Sequence, residues 1–344
     1  MLMIQRLRIV SACVVFGALG IGLAACGAAG TKQPAAKVAS VSLLLNTPPS
    51  GINAAVYEAQ KLGYYAKEHL SVTILSGTSS ATTVEAVAAN KATVGFAIPS
   101  NALEASAQGS KVVSIGTAFG RNGQGVFVPD NSGITSLRQL THVTIGVLGS
   151  SFEAILNDLL TSLGVNPATN KYVVFLTPAA MIQSYNSGGT GAVVTQIPFG
   201  APLIDPVRPS RGLLEASYGI QGGSYSFVAS PQTLKQEPSV LARFLTATYE
   251  GFAAANRNPA SAAAAEGSYV PGLDVSAARQ QYQQFMAYEC SAAMAGHTLA
   301  YQAPSDWTSM AVSLAAVGAI PATLNVGSVY TNEFESSGSA VECK

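Results

Sequence analysis

The sequence predicts an α/β protein built as two lobes. Three observations predict it: short β-branched runs alternate with helical stretches, the alternation starts afresh near residue 143, and the chain turns helical after Pro238. The 344 residues leave about 300 beyond an N-terminal leader, enough for two hydrophobic cores.

The leader comes first. Arg6 and Arg8 precede an apolar run from Ile9 to Leu23, too short for a comfortable membrane span, that ends in Leu23, Ala24, Ala25, Cys26 and Gly27. It is similar to a bacterial lipoprotein signal. That resemblance implies removal of residues 1–25, a lipid on the Cys26 sulfur, and a chain held on the outer face of the bacterial cytoplasmic membrane. An ordinary secretory signal with a chance cysteine is the alternative, and both place the chain outside. Residues 26–40, poor in large apolar side chains, read as a tether. No later apolar stretch is long enough to span a bilayer, so the lipid is the expected membrane contact.

The first lobe alternates strand and helix: a strand at 41–45, a helix over 51–62 stopped by Gly63, a strand at 72–75, a helix over 80–89, a strand at 94–98, a short helix near 101–108 and a strand at 112–116. The second lobe repeats the scheme with strands at 143–147, 172–176 and 192–196 and helices from Ser151 and around 179–185. Its clearest helix carries Phe152, Ile155, Leu156, Leu159, Leu160 and Leu163 on one face, with Gly164 as stop signal and Pro167 beyond. After Pro238 come Leu241, Phe244, Leu245, Thr248 and Phe252 at helical spacing, then helices near 275–289 and 305–317. The runs at 126–128 and 225–229 are the expected crossings between lobes. They divide the chain into a first lobe over 41–128, a second over 129–225 and a return to the first over 226–344.

Lys and Arg number 18, Asp and Glu 18, so the net charge is zero, and charged residues make up only 10% of the chain. Nothing here attracts nucleic acid. On the lipoprotein resemblance Cys13 would leave with the signal and Cys26 would carry lipid; Cys290 and Cys343 remain, and two cysteines in an oxidising compartment invite a structural bridge, with two separate buried thiols as the alternative. His69, His142 and His297 are scattered, and no paired Cys or His spacing marks a metal site. There is no G-x-S-x-G and no P-loop, and "GRNGQG" at 120–125 has the wrong spacing for a dinucleotide fingerprint, so no cofactor is expected.

In open parallel sheets ligands bind beyond the carboxyl ends of the strands, where helix N-termini present free N–H groups. Ser76, Gly77, Thr78, Ser79 and Ser80 occupy that place after the second strand, with Thr82 and Glu85 fitting a capping box just inside the helix. Asn46, Thr47, Ser50 and Asn53 follow the first strand, Ser100 and Asn101 the third, and Ser150 and Ser151 the first strand of the second lobe. Helix capping is the other use of such residues, and four such loops at one edge favour a ligand site.

From about Val41 to Ile320 the chain resembles the solute-binding proteins of ABC importers in the thiamine-precursor, alkanesulfonate, taurine and nitrate superfamily. The segments "INAAVYEAQKLGYYAKEHLSVTILSG" (52–77), "ATTVEAVAANKATVGFAIPS" (81–100), "SGITSLRQLTHVTIGVLGS" (132–150) and "GAVVTQIPF" (191–199) carry the resemblance by their order. It implies a two-lobed, type II periplasmic-binding fold with a ligand cleft between the lobes, closing on a solute and delivering it to a permease driven by an ATPase. The protein is expected to act as a monomer. Asn90 stands where many relatives have Gly, Thr141 where Gly is usual, Thr93 and Gly191 where an acid is usual, and Gln196 with Ile197 replaces a common aromatic and acidic pair before Pro198. These departures bear on the ligand, not the fold.

Apart from Arg121 and Glu153, the expected loops offer hydroxyls, amides and backbone N–H groups, which suits a small oxyanion such as a sulfonate or a mostly neutral ring compound better than a cation. Tyr64, Tyr65, Phe96, Phe119, Phe152, Tyr185 and Tyr225 are available to stack on a ring. Core packing is the commoner fate of such residues, for Phe96 and Phe152 in particular. Tyr225, at the expected hinge, and Gln196 are the expected contacts of this part of the chain. The superfamily also contains fungal enzymes that build a thiamine pyrimidine with iron and a Cys-rich motif; that motif is absent here, and a binding protein is expected rather than an enzyme. A tethered sensor that presents its ligand to a receptor uses the same fold.

Overall fold

The computed structural model describes residues 37–344. The expected signal, Cys26 and the tether as far as residue 36 lie outside the described residues. The tether's expected end does not hold, because Ala39 and Ser40 already belong to the first strand.

Among the described residues ten strands and twelve α-helices follow in chain order. The first lobe contains β1 (Ala39–Leu44), α1 (Ala54–Lys61), α2 (Tyr64–Lys67), β2 (Leu70–Leu75), α3 (Ser80–Ala88), β3 (Val94–Ala97), α4 (Pro99–Ala107) and β4 (Val113–Phe119). The second contains β5 (Gln124–Pro129), β6 (Thr144–Val147), α5 (Ser150–Ser162), β7 (Lys171–Val174), α6 (Pro178–Asn186), β8 (Ala192–Gln196), α7 (Ile197–Ile204) and β9 (Ser210–Leu214). The chain then returns through β10 (Tyr225–Ala229), α8 (Pro231–Gln236), α9 (Pro238–Arg257), α10 (Pro259–Tyr269), α11 (Val275–Phe285) and α12 (Pro304–Ala316).

The strands form two five-stranded sheets, ordered β2-β1-β3-β10-β4 and β7-β6-β8-β5-β9. In each sheet one strand runs against the rest: β10 is antiparallel to β3 and β4, and β5 to β8 and β9. Both are the first strand after a crossing, so each lobe takes its one reversed strand from the chain arriving from the other. This moves the expected boundaries. Residues 124–129 pair within the second sheet, so the first crossing is at 120–123 rather than after Val128, and the second is at 215–224, with Tyr225 already in the first sheet. The run at 126–128 looks like a boundary because Pro129 ends it, but Pro129 pairs with Ser210 at the end of an ordinary ladder.

Packing follows from these faces. On one face of the first sheet Phe227 packs against Phe244 and Tyr249 of α9, with Phe96 and Phe252 in the same core, and the opposite face packs Val84, Val87, Leu103, Trp307 and Leu314 from α3, α4 and α12. Each such side chain contributes roughly 1.5–3 kcal/mol of burial free energy. In the second lobe, Leu156, Leu159 and Leu160 of α5 are buried as the helical spacing predicts. Phe152 and Ile155, on the same helix, reach a cavity shared with Met310 and Leu314 of α12 in the first lobe.

Asn90 ends its helix at φ +54°, the left-handed conformation its place requires. Cys290 and Cys343 are bonded, with Cα atoms 5.5 Å apart, and Cys343 exchanges backbone hydrogen bonds with Gly296 and His297.

Candidate ligand cleft

The carboxyl ends of β1, β2 and β3 face those of β6, β7 and β8, and the amino ends of the reversed strands β5 and β10 join the same edge. A cavity of about 300 Å³ lies there, within the range of small-molecule sites. Its floor from the first lobe is the hydroxyl-rich stretch Thr78, Ser79, Ser80 with Asn46, Thr47 and Asn101.

Those residues hold one another before they hold anything else. The Ser79 hydroxyl accepts from the Thr82 backbone N–H at 3.2 Å, so Ser79, not Thr82, caps α3. The Ser80 hydroxyl accepts from the Ile98 N–H at 3.1 Å, and the buried Thr83 hydroxyl donates to the Leu45 carbonyl at 2.9 Å. Gly77 is required by close approach, since a Cβ there would lie 1.7 Å from the Leu45 carbonyl oxygen. Three loops are thus stitched into one rigid wall.

From the second lobe the cavity receives Leu148, Phe152, Phe175 and Phe199, with Thr195 and Gln196 at the end of β8 and Gln124 at the start of β5. Tyr225 closes the hinge side. Its ring is 5.0 Å from that of Phe96, stacked at 13°, and meets Phe119 and Phe285 edge-on. Burial raises its phenol pKa, partly offset by the Asn46 carboxamide. The Asn46 Oδ1 is buried without a partner among the described residues. Gln196 donates to the Gln124 carbonyl oxygen at 3.2 Å and lies 3.0 Å from the Ser224 hydroxyl, which accepts from the Gly123 N–H at 3.0 Å. This network joins both crossings at one point.

Among the described residues no charged side chain lines this cavity. Of the expected residues, Asn46, Thr47, Thr78, Ser79, Ser80, Asn101, Gln196 and Tyr225 line it, and Ser100 opens onto a smaller adjoining compartment. The others are placed elsewhere. Asn53 is buried and accepts from the Ser50 N–H at 3.2 Å, fixing the turn into α1. Ser150 and Ser151 start α5 without facing the cavity. Arg121 is exposed and lies over the Tyr288 ring, 5.5 Å from its centroid, so its charge is not in the cleft. Phe152 packs partly against the second-lobe core, as expected, and also lines the cavity, whereas Tyr65, Phe96, Phe119 and Tyr185 are core residues. Sequence reasoning missed Gln124, Phe175 and Phe199. Phe175 follows directly on β7, the same place after a strand that the hydroxyl loops occupy, but the expected strand at 172–176 had taken it in and hidden that position.

Two facing α/β lobes with a cleft at their strand ends define a periplasmic-binding-protein fold. The solved structures agree: the alkanesulfonate-binding protein SsuA from Xanthomonas axonopodis pv. citri, bound to MOPS, superposes with a TM-score of 0.65 over 86% of this chain and 99% of that one at 15% identity. The periplasmic nitrate-binding protein NrtA from Synechocystis PCC 6803 does so with 0.66 over 88% and 89% at 12% identity. The chain belongs to the NMT1/THI5 like family, whose model matches residues 52–262. The riboflavin-binding protein RibY of Chloroflexus aurantiacus is 25% identical over 314 residues, 87% of each chain. The 4-amino-5-hydroxymethyl-2-methylpyrimidine phosphate synthase of Legionella pneumophila is 29% identical over 133 residues, 39% of this chain; the match spans less than half, 42%, of that enzyme.

Proposed function

We propose that this protein is a lipid-anchored, extracytoplasmic solute-binding protein of an ABC importer, acting as a monomer that captures a flat, mostly neutral heteroaromatic solute and delivers it to a permease and its ATPase. The observation that carries the ligand class is the cleft's composition: aromatic and aliphatic walls, carboxamides and hydroxyls, and no cationic side chain to neutralise a sulfonate or nitrate. The full-length similarity to a riboflavin-binding protein supports the same class. Closure of the lobes follows from contacts on both sides of the cleft, since a solute touching both stabilises the closed form over the open one.

A thermal-shift panel tests this, using alkanesulfonates, taurine, nitrate, pyrimidines and flavins. A solute at one hundred times its dissociation constant adds about 2.7 kcal/mol, a rise of several degrees. The expected responders are pyrimidines or flavins. A response confined to taurine, sulfonates or nitrate would overturn the ligand class.

The catalytic reading rests on the relatives named as pyrimidine synthases. Among the described residues no group of three His, Cys, Asp or Glu side chains is placed to hold a metal ion. Mass spectrometry of the responding solute after incubation separates the readings, because a binding protein returns it unchanged. A ligand-presenting sensor would return it unchanged too, and gene neighbourhood separates that role from transport.

A further inference from the structure

The cleft has a second compartment. A pocket of about 70 Å³ continues from the main cavity and shares Ile98, Gln124, Phe152 and Gln196 with it; its far wall is Ile155, Met310, Leu314 and the crossing at 215–224. Glu215 is its one ionisable lining residue among those described. The side chain is 2% exposed, and no ion pair or side-chain hydrogen bond meets its carboxyl among the described residues. Burial alone lifts its pKa to about 8. A carboxyl held this way is costly to the fold unless something arrives to pair with it.

The neighbouring groups narrow what that is. Gln124 spends its carbonyl oxygen on Gln196, while its amide N–H groups and the Ser100 hydroxyl have no partner among the described residues. The compartment therefore offers an acceptor at Glu215 and donors at Gln124 and Ser100. An anionic group would find no cationic side chain here among the described residues, an ammonium would leave the donors idle, and an alkyl group would leave all three unpaired. A hydroxyl both donates and accepts. The volume, against about 30 Å³ per water in the liquid, suits a chain of a few heavy atoms.

We infer that this compartment receives a hydroxylated arm carried by the flat solute, with Glu215 accepting hydrogen bonds from the arm while the ring lies in the main cavity. The inference rests on the heteroaromatic reading above and adds to it a specificity-determining residue on the second crossing, where a bound arm also bridges α5, α12 and the hinge.

The test compares two probes that share a ring system and differ in the arm: riboflavin, with its polyhydroxylated chain, and lumiflavin, with a methyl group in its place. Each is titrated by flavin fluorescence against the full chain and against Glu215→Leu. The expected result is that riboflavin binds the unmodified protein at least about tenfold more tightly than lumiflavin, and that Glu215→Leu closes most of this gap by weakening riboflavin alone. Unliganded Glu215→Leu should melt no lower than the parent, because it removes an unpaired buried carboxyl. If that variant does not fold, Glu215→Gln carries the test: it keeps the shape and one acceptor oxygen and is expected to weaken riboflavin several-fold with lumiflavin unchanged. Equal affinity for the two flavins, or a gap that survives both substitutions, overturns the compartment's role and leaves the flat-ring reading standing. Binding of neither flavin overturns this inference as well, and the flat-ring reading is then decided by the solute panel.

Discussion

Tyr225 separates packing from recognition within one side chain. Its ring is wedged among Phe96, Phe119 and Phe285 while the residue also lines the cavity next to Asn46. Tyr225→Phe should therefore leave the melting temperature within about a degree or two and weaken solute binding several-fold, whereas Tyr225→Ala should cost roughly 3–5 kcal/mol through the cavity it opens. Calorimetry and solute titration on the two variants check both halves. Ser79 makes the opposite case. Its hydroxyl is already committed to capping α3, so Ser79→Ala is expected to cost about 1 kcal/mol of stability and Ser79→Gly only a few tenths, as urea unfolding would show. Equal losses for the two would mean the hydroxyl has another role. These two residues also mark how far the site could be read from sequence. A hydroxyl cluster between a strand and a helix announces a loop at a sheet edge, because capping demands it there. Whether each hydroxyl faces outward to a solute or inward to a backbone N–H depends on partners 18 to 38 residues away, as for Ser80 with Ile98 and Thr83 with Leu45, and local pattern does not carry that.

At the scale of elements, period and punctuation were legible where apolar spacing was regular. The strands at β1, β2, β3 and β8 and the helices α3, α5 and α9 appear within a few residues of the positions their patterns predict. Elements with mixed signals were not. α7 contains Pro198 and Pro202 with Gly200 in eight residues, and β9 reads Ser-Arg-Gly before its first leucines, so neither shows a helical or strand period. The crossings were misplaced for a related reason: which sheet β5 joins is a long-range pairing choice, and its own sequence suits either. The last element, the tail after α12, is held by the Cys290–Cys343 bridge across 53 residues. Chain-entropy arguments assign such a loop about 4 kcal/mol. A Cys290→Ser, Cys343→Ser variant should lose stability of that order, and hydrogen exchange should quicken first in residues 335–343, whose backbone bonds to Gly296, His297 and Leu299 depend on the tail staying in place. Unchanged exchange there would show that packing of the buried Phe334 and Ser337 is enough to hold it.

The whole molecule carries few charges, and several of them are in unusual places. Among the described residues the one contact between an acidic and a basic side chain is a hydrogen bond between His297 and Glu335 at 2.8 Å, while Glu215, Glu266 and Glu289 are buried. Burial raises the carboxyl of Glu266 to about 9 and those of Glu215 and Glu289 to about 8, from an ordinary 4.5. Both Glu266 oxygens lack partners among the described residues, and Glu289 has one, the Asn256 amide at 2.7 Å. The sign of the consequence follows from proton counting. Between about pH 4.5 and 8 the folded chain holds these protons and the unfolded chain releases them, so unfolding becomes more favourable as pH rises. Their contribution is present in full below the unfolded pKa and is lost as pH climbs towards the folded values, by up to about 1.4 kcal/mol per pH unit for each group. The protein should therefore melt at a higher temperature at pH 5 than at pH 8, the reverse of a protein whose carboxylates are stabilised by ion pairs. Glu266→Gln, which keeps the shape and removes the ionisation, should flatten this slope and raise the melting temperature at pH 8 more than at pH 5. A melting temperature that rises from pH 5 to pH 8 in the parent would mean that these carboxyls reach water in the native state and are not held neutral.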